Sequence, residues 1–393
     1  MKRSTPGAHG PSSQTFVYIS SNPGIPVGDL FRFQTGQRSD SQSPFPDRRT
    51  FKYSQVREAV ADFISAAEMK AGDSVLVPAY ICPAVIDPFQ KLGIKILFYP
   101  VDQGLAPDAS AIRELLLKKP RAFLIVHYFG FPARAEAVIK ECRDHGLWII
   151  EDCAHTLPLP SKGIKGDLGD VTMYSLPKLL PVPDGAVVVV NNDRLSWPQA
   201  PAEANRRLVL VNLVWQAANT LEVLTGLSLR TRLRESRTST NMITALRQTS
   251  AGNGEARSYH RFRMSPVSQA IHRRIDLGAI AKRRQQNYRW LAAAVKSIKG
   301  ATPIFGDLDS PSAPLGFPIL VDHREAVRSK LMAAGVDPRP IWSALPAQVP
   351  IEGFADARYV AAHNIVLPVH QDLTPRALVH IVSALDRALA TTN

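Results

Sequence analysis

Leu147-Trp148-Ile149-Ile150-Glu151-Asp152-Cys153-Ala154-His155, followed downstream by Val171-Thr172-Met173-Tyr174-Ser175-Leu176-Pro177-Lys178, is the part of the sequence that decides the fold. Each stretch opens as a short, mainly apolar run suited to a strand buried on both faces, and each closes on reactive side chains. The first ends in two adjacent carboxylates, Glu151 and Asp152. Alternation along a strand sends them to opposite faces, so only one can address a given site. The second ends in a lysine among Pro177, Pro181, Pro183 and Gly185, which forbid regular structure. Lys178 is thereby held on a stiff turn rather than on an arm swept through solvent.

Upstream, the helical spacing of Val56, Ala59, Val60, Phe63, Ile64 and Ala67 predicts a helix over 55–67, stopped by Lys70-Ala71-Gly72-Asp73 and followed by a short strand at 75–78. The alternation then repeats: helix 84–92, strand 95–99, helix 109–117, strand 122–127, helix 134–145, strand 148–152. Helices between short apolar strands specify an α/β fold. The expectation is a large domain with a mainly parallel, seven-stranded-type sheet covered by helices, its function at the carboxyl ends of the strands. Beyond Ala186–Val190, residues 191–255 read as irregular and helical. A long helical pattern at 265–298, broken near Gly278, leads to a strand at 316–321, a helix at 324–334 and a terminal helix at 375–388. The division expected is an N-terminal extension at 1–50 without sustained period, a large domain at 51–255 with a helical insertion at about 196–255, and a smaller C-terminal α/β domain at 256–393.

The chain has 393 residues, 45% of them hydrophobic, enough to bury a sizeable core. Its cysteines, Cys82, Cys142 and Cys153, are odd in number and form no CxxC pair, which argues against a disulfide framework or a thiolate metal site and for a cytoplasmic protein. The first residues lack the apolar core of a secretory signal. A formal charge of +13, with arginines concentrated between Arg206 and Arg284, raises nucleic-acid binding. No helix-turn-helix, RRM or zinc-finger pattern accompanies that charge, so no specific nucleic-acid partner is expected; the field suits an anionic small substrate. Residues 208–229 carry Asn212, Gln216, Asn219, Thr220 and Glu222 and read as an amphipathic helix, not a membrane span; their Arg-rich flanks permit surface contact with a membrane.

Ile150-Glu151-Asp152-Cys153-Ala154-His155, Tyr174-Ser175-Leu176-Pro177-Lys178 and Asp184-Gly185-Ala186-Val187-Val188-Val189 resemble the DegT/DnrJ/StrS family of sugar aminotransferases, whose pattern is a strand ending E-D-x-A-Q, a Ser-containing turn to a Schiff-base lysine, and a G-G-A strand. The resemblance runs in order through Gly72–Pro78, Val126–Gly130, Arg263–Ser265, Arg283–Tyr288, Gly335–Pro340 and Leu367–His370, from about 50 to 390.

It implies the type I fold of transferases dependent on pyridoxal 5'-phosphate, with Lys178 as the Schiff-base lysine and Asp152 paired with the protonated ring nitrogen. His155 stands where the family usually has Gln; it can donate the same hydrogen bond, at the expectation of a more pH-dependent site. Ser175 takes the place of a phosphate-binding hydroxyl. Gln55-Val56-Arg57 takes the place of S-G-T or S-G-R at a helix start, where free N–H groups favour an anion, with Val56 replacing a glycine and Arg57 contacting the phosphate. Cys82 falls near a ring-stacking aromatic position, with Tyr80 as a substitute. Arg261 takes the place of an Asn that reaches the phosphate of the neighbouring subunit.

The implied activity moves an amino group from an amino acid donor, glutamate, to a keto-sugar, nucleotide-linked, in polysaccharide or secondary-metabolite biosynthesis. Retention of Lys178, where sugar-deoxygenating relatives carry His, points to transamination. A homodimer is implied as well. The alternative is a non-catalytic relative that keeps the fold as a binding or scaffold module, motivated by the altered phosphate loop; a yellow protein that loses its colour on Lys178→Ala distinguishes the two.

Overall fold

The computed structural model describes residues 18–24, 45, 47–159, 168–225, 259–308 and 312–392. Most of the expected extension at 1–50, the later part of the insertion and the expected boundary at 255–256 lie outside the described residues.

The first half alternates strand and helix as β1 (Arg49–Tyr53), α1 (Val56–Ala66), β2 (Ser74–Pro78), α2 (Pro83–Lys91), β3 (Lys95–Tyr99), α3 (Ala109–Leu116), β4 (Ala122–Val126), α4 (Glu136–Asp144), β5 (Trp148–Asp152), β6 (Val171–Ser175) and β7 (Ala186–Val190). These strands form one seven-stranded sheet in the order β1-β7-β6-β5-β4-β2-β3. From β6 across to β3 every pairing is parallel, whereas β7 runs antiparallel to both β6 and β1. The mainly parallel sheet follows from composition: Ala122–Val126 and Ala186–Val190 are apolar throughout and buried throughout, as strands covered on both faces must be.

β1 is a strand that sequence reading missed. Arg49-Thr50-Phe51-Lys52-Tyr53 alternates charge and aromatic side chains, the mark of a half-buried edge strand, and only Tyr53 is fully buried.

The later elements are α5 (Arg206–Thr225), α6 (Pro266–Arg274), α7 (Leu277–Val295), β8 (Thr302–Pro303), β9 (Phe317–Leu320), α8 (Arg324–Ala333), α9 (Ala355–His363), β10 (Asn364–Leu367) and α10 (Pro375–Ala390). The break expected near Gly278 falls just before it: Ile275 is extended, and Asp276 caps α7 by accepting from the Ala279 N–H at 3.0 Å. β8, β9 and β10 form a three-stranded antiparallel sheet in the order β10-β9-β8. Helices α7, α8 and α10 pack around it, α10 burying Leu378, Ile381, Leu385 and Leu389 at helical spacing. No helix among the described residues is long and apolar enough to cross a membrane.

Candidate active site

Register decides which residues meet at the carboxyl edge of the large sheet. Tyr53, Ala186 and Ser175 lie abreast on β1, β7 and β6, so the start of α1 at Gln55, Val56 and Arg57 is delivered beside the end of β6. Asp152, ending β5, is level with Met173 of β6, and the chain beyond Ser175 closes a single 3-10 turn, Leu176–Lys178. That turn brings the amine of Lys178 into the field of the Asp152 carboxylate.

The turn is fastened from several sides. The Leu176 N–H donates to the Gly185 carbonyl at 3.0 Å, and the Gly185 N–H donates to the Ser54 carbonyl at 2.8 Å. Asp184 accepts from the Ser265 N–H at 3.0 Å and from the Ser265 and Ser268 hydroxyls at 2.6 and 2.5 Å, tying the loop to the start of α6. Arg284 of α7 donates to the Leu179 carbonyl at 3.1 Å, one residue past the lysine. A lysine so anchored loses little further entropy when it is positioned for chemistry.

Electrostatics set the state of the pair. Burial pushes the Asp152 carboxyl above its ordinary range, and the Lys178 cation holds it down against that push. Burial lowers the Lys178 amine below the usual lysine range, opposed by Asp152. The result is an amine that gives up its proton more readily than a surface lysine, beside a carboxylate poised to face a cation.

Glu151 points the other way, as alternation requires. Its carboxylate accepts from His127 Nε2–H at 2.8 Å, from the Thr172 hydroxyl at 2.9 Å and from the Gly169 N–H at 3.1 Å. The Ala133 N–H donates to His127 Nδ1 at 3.1 Å, so the hydrogen given to Glu151 sits on Nε2. Glu151, His127 and Cys153 cluster closely enough to suggest a metal site, but the imidazole nitrogens and the carboxylate are engaged in protein hydrogen bonds. Their role is to brace the strand that carries Asp152.

His155 is buried, and its Nδ1 accepts from the Phe129 N–H at 3.1 Å. Nε2 therefore carries the proton and is left to donate. The turn that delivers this N–H needs its glycine: Gly130 has φ +92°, and a Cβ there would meet the Ala313 and His155 carbonyl oxygens at 2.7 and 2.8 Å. The expectation of a pH-dependent His155 is corrected: burial, reinforced by the positive charges of Lys178 and Arg339, holds its pKa well below the ordinary histidine value, so the ring stays a neutral donor across the physiological range.

At the start of α1, Gln55, Val56 and Arg57 are half-buried, as is Ser175 across from them. Glu58, which the apolar spacing of the helix does not mark, is 1% exposed. Its Oε2 accepts from the Gln55 and Phe262 N–H groups, both at 3.3 Å, and its Oε1 has no partner. Burial raises this carboxyl to about 8. A carboxylic acid with a raised folded pKa binds more protons folded than unfolded, so stability falls as pH rises from the unfolded value near 4.5 through about 8. A fall on the order of a few kcal/mol is expected over that interval, and Glu58→Gln should flatten it in urea titrations taken at several pH values.

Within the chain, Arg261 reaches α1. Its guanidinium pairs with Asp62, one turn along α1 from Glu58, and Asp62 also accepts from the Tyr53 hydroxyl at 2.5 Å. The sequence reading missed two groups that reach the site from the side of the small sheet. Arg339 contributes positive charge to the surroundings of both Lys178 and His155. Trp342 stands over the lysine, its ring centroid 6.0 Å from Nζ. The resemblance through Gly335–Pro340 covered Arg339 and stopped short of Trp342.

Comparison with known proteins adds to this geometry. Residues 58–200 match the profile of the DegT/DnrJ/EryC1/StrS aminotransferase family. The chain is 29% identical over 134 residues to GDP-perosamine synthase of Vibrio cholerae, covering 33% of this chain and 36% of the relative. It is 26% identical over 137 residues to dTDP-4-dehydro-2,3,6-trideoxy-D-glucose 4-aminotransferase of Saccharopolyspora spinosa, covering 34% of this chain and 36% of the relative. These matches span about a third of the length of the curated relatives. Among solved structures, the putative sugar aminotransferase Spr1654 of Streptococcus pneumoniae in its PMP form superposes with a TM-score of 0.67 at 13% identity over 95% of this chain and 98% of the other. A DegT DnrJ EryC1 StrS aminotransferase of Brucella abortus gives 0.64 at 15% identity, covering 93% and 91%. At such identities the likeness is one of fold.

Proposed function

We propose that this chain is a member of the DegT/DnrJ/EryC1/StrS aminotransferase family, whose profile matches residues 58–200, and that it uses pyridoxal 5'-phosphate to move an amino group from an amino acid, glutamate in the first instance, to a nucleotide-linked keto-sugar. The observation that carries the reading is the pairing of buried Asp152 with half-buried Lys178 at the ends of adjacent parallel strands, each shifting the other's titration.

The donor set fits that cofactor. A carboxylate at one strand end suits a protonated ring nitrogen, and an amine on a fastened turn suits an aldehyde. The start of α1 with Arg57, facing Ser175, suits a phosphate. Glu58 does not oppose the anion, because burial keeps it protonated near neutral pH. Val56 in place of glycine narrows the backbone approach without removing the helix terminus.

When bound, the cofactor supplies an aldehyde that condenses with amines and a cationic ring that withdraws electrons from the carbon being deprotonated. Asp152 holds the proton on the ring nitrogen by its charge. His155 donates from Nε2 and, being neutral, brings no competing cation. Lys178 moves a proton between carbons with an amine whose lowered pKa leaves more of it unprotonated at working pH. Glu151, His127 and Thr172 act through the backbone of β5 by keeping Asp152 aimed.

A homodimer and a cytoplasmic setting belong to the same proposal. The family resemblance supports the first, and the free cysteines Cys82, Cys142 and Cys153 support the second.

The test is a two-stage assay. Purified protein loaded with pyridoxal phosphate is mixed with glutamate and followed by its absorbance and by release of 2-oxoglutarate; GDP-, UDP- and dTDP-linked keto-hexoses are then offered to the aminated form. Amination of at least one sugar is expected. An unchanged spectrum with glutamate and with every other amino acid tried would contradict the reading.

A further inference from the structure

Trp342 has a backbone φ of +46°, in the left-handed region that bulky side chains avoid. The conformation is imposed by the segment on its N-terminal side. Arg339 exchanges two backbone hydrogen bonds with Val366 of β10, each 3.1 Å. The Ile341 N–H donates to Asn364 Oδ1 at 2.8 Å, and the Tyr80 hydroxyl donates to the Ile341 carbonyl at 2.5 Å. The chain is thus pinned to the small sheet and to the loop after β2 at once, and it turns sharply at Trp342.

What the strained turn delivers is an aromatic face at one place. The indole lies 5.1 Å from the His155 ring, 5.1 Å from the Tyr80 ring edge-on and 6.1 Å from the Tyr128 ring edge-on. Lys178 Nζ lies 6.0 Å from its centroid, yet Trp342 is only half-buried. Neighbouring rings hold the indole while part of its surface remains exposed. Backbone strain at a functional site is retained where it positions a group, and simple packing would not require a left-handed tryptophan.

We propose that Trp342 is the stacking wall for the sugar ring of the amino acceptor. A pyranose presents a face of C–H groups that packs on an indole, whereas an amino acid donor reaching the same amine has no such face. Because the indole stands over Lys178, a sugar stacked on it holds its carbonyl carbon toward the amine side of the site. Trp342 is therefore a specificity-determining residue. This inference rests on the proposed aminotransferase reading but is tested by binding alone.

The experiment measures affinities of the full-length chain, loaded with pyridoxal phosphate, for GDP-, UDP- and dTDP-glucose and for the corresponding bare nucleotide diphosphates. The wild type should bind at least one sugar nucleotide more tightly than its bare nucleotide. Trp342→Ala should reduce that advantage about tenfold, and Trp342→Phe should keep most of it. Trp290→Phe, at an exposed tryptophan, is the control and should leave the advantage intact. The proposal is overturned if the Ala variant keeps the advantage, if it loses affinity for sugar nucleotide and bare nucleotide alike, or if no sugar nucleotide outcompetes its bare nucleotide in the wild type. Failure of the wild type to take up pyridoxal phosphate would instead strike the functional reading. The two failures are therefore distinct.

Discussion

Asp152→Asn is expected to lower turnover with glutamate on the order of 10³-fold, about 4 kcal/mol of lost stabilisation, while leaving the melting temperature unchanged or raised. The substitution keeps the shape of the side chain and removes its charge. Without that charge the ring nitrogen of the proposed cofactor loses the partner that keeps it protonated, and its capacity to withdraw electrons falls. Stability moves the other way because burial already disfavours the Asp152 carboxylate, and an amide in its place costs less to bury. A second signature separates this from a generic defect. Asp152 raises the Lys178 pKa against the pull of burial, so its loss should lower that pKa further and shift the acid limb of the rate profile to lower pH. Steady-state rates across pH, with thermal melts on the same samples, check both parts. A variant that is merely unfolded would show neither the preserved melt nor the displaced limb.

Arg284→Met is expected to destabilise the protein by about 2–4 kcal/mol and to loosen the lysine turn. Arg284 is 1% exposed and donates to Gln371 Oε1 at 3.1 Å and to the carbonyls of Pro314, Leu315 and Leu179 at 3.1, 3.2 and 3.1 Å. Charged hydrogen bonds of this kind contribute more than neutral ones, but burying the guanidinium is itself costly, as its lowering to about 9 records. The net effect is therefore smaller than four separate bonds would suggest. Lysine cannot rescue it, because one ammonium cannot span acceptors on opposite sides of a planar fork. Urea denaturation gives the stability change, and a raised KM for pyridoxal phosphate would report the loosened turn.

The large sheet was legible because its strands are built on short, mainly apolar runs, and the carboxyl ends of β5 and β6 carry the reactive side chains in sequence. Asp152 and Lys178 could be read for that reason, and alternation alone assigned Glu151 to the opposite face. β1 escaped because Arg49 and Lys52 disguise an edge strand as loop. Glu58 escaped because a single buried carboxyl between apolar helix positions looks solvent-facing in one dimension. Trp342 and Arg339 reach the site only through the tertiary placement of the small sheet, which no local periodicity encodes. The state of His155 was misjudged for a related reason: its neutrality comes from burial and from two cations distant in sequence.

The claim beneath all of this is that a lysine amine on the turn after β6 is the group that condenses with the cofactor. Pyridoxal phosphate added to the purified chain, followed by borohydride reduction and peptide mapping by mass spectrometry, tests it most directly. The account predicts a single phosphopyridoxyl adduct on Lys178, lost in Lys178→Ala. Label spread over surface lysines, or undiminished in that variant, would contradict it.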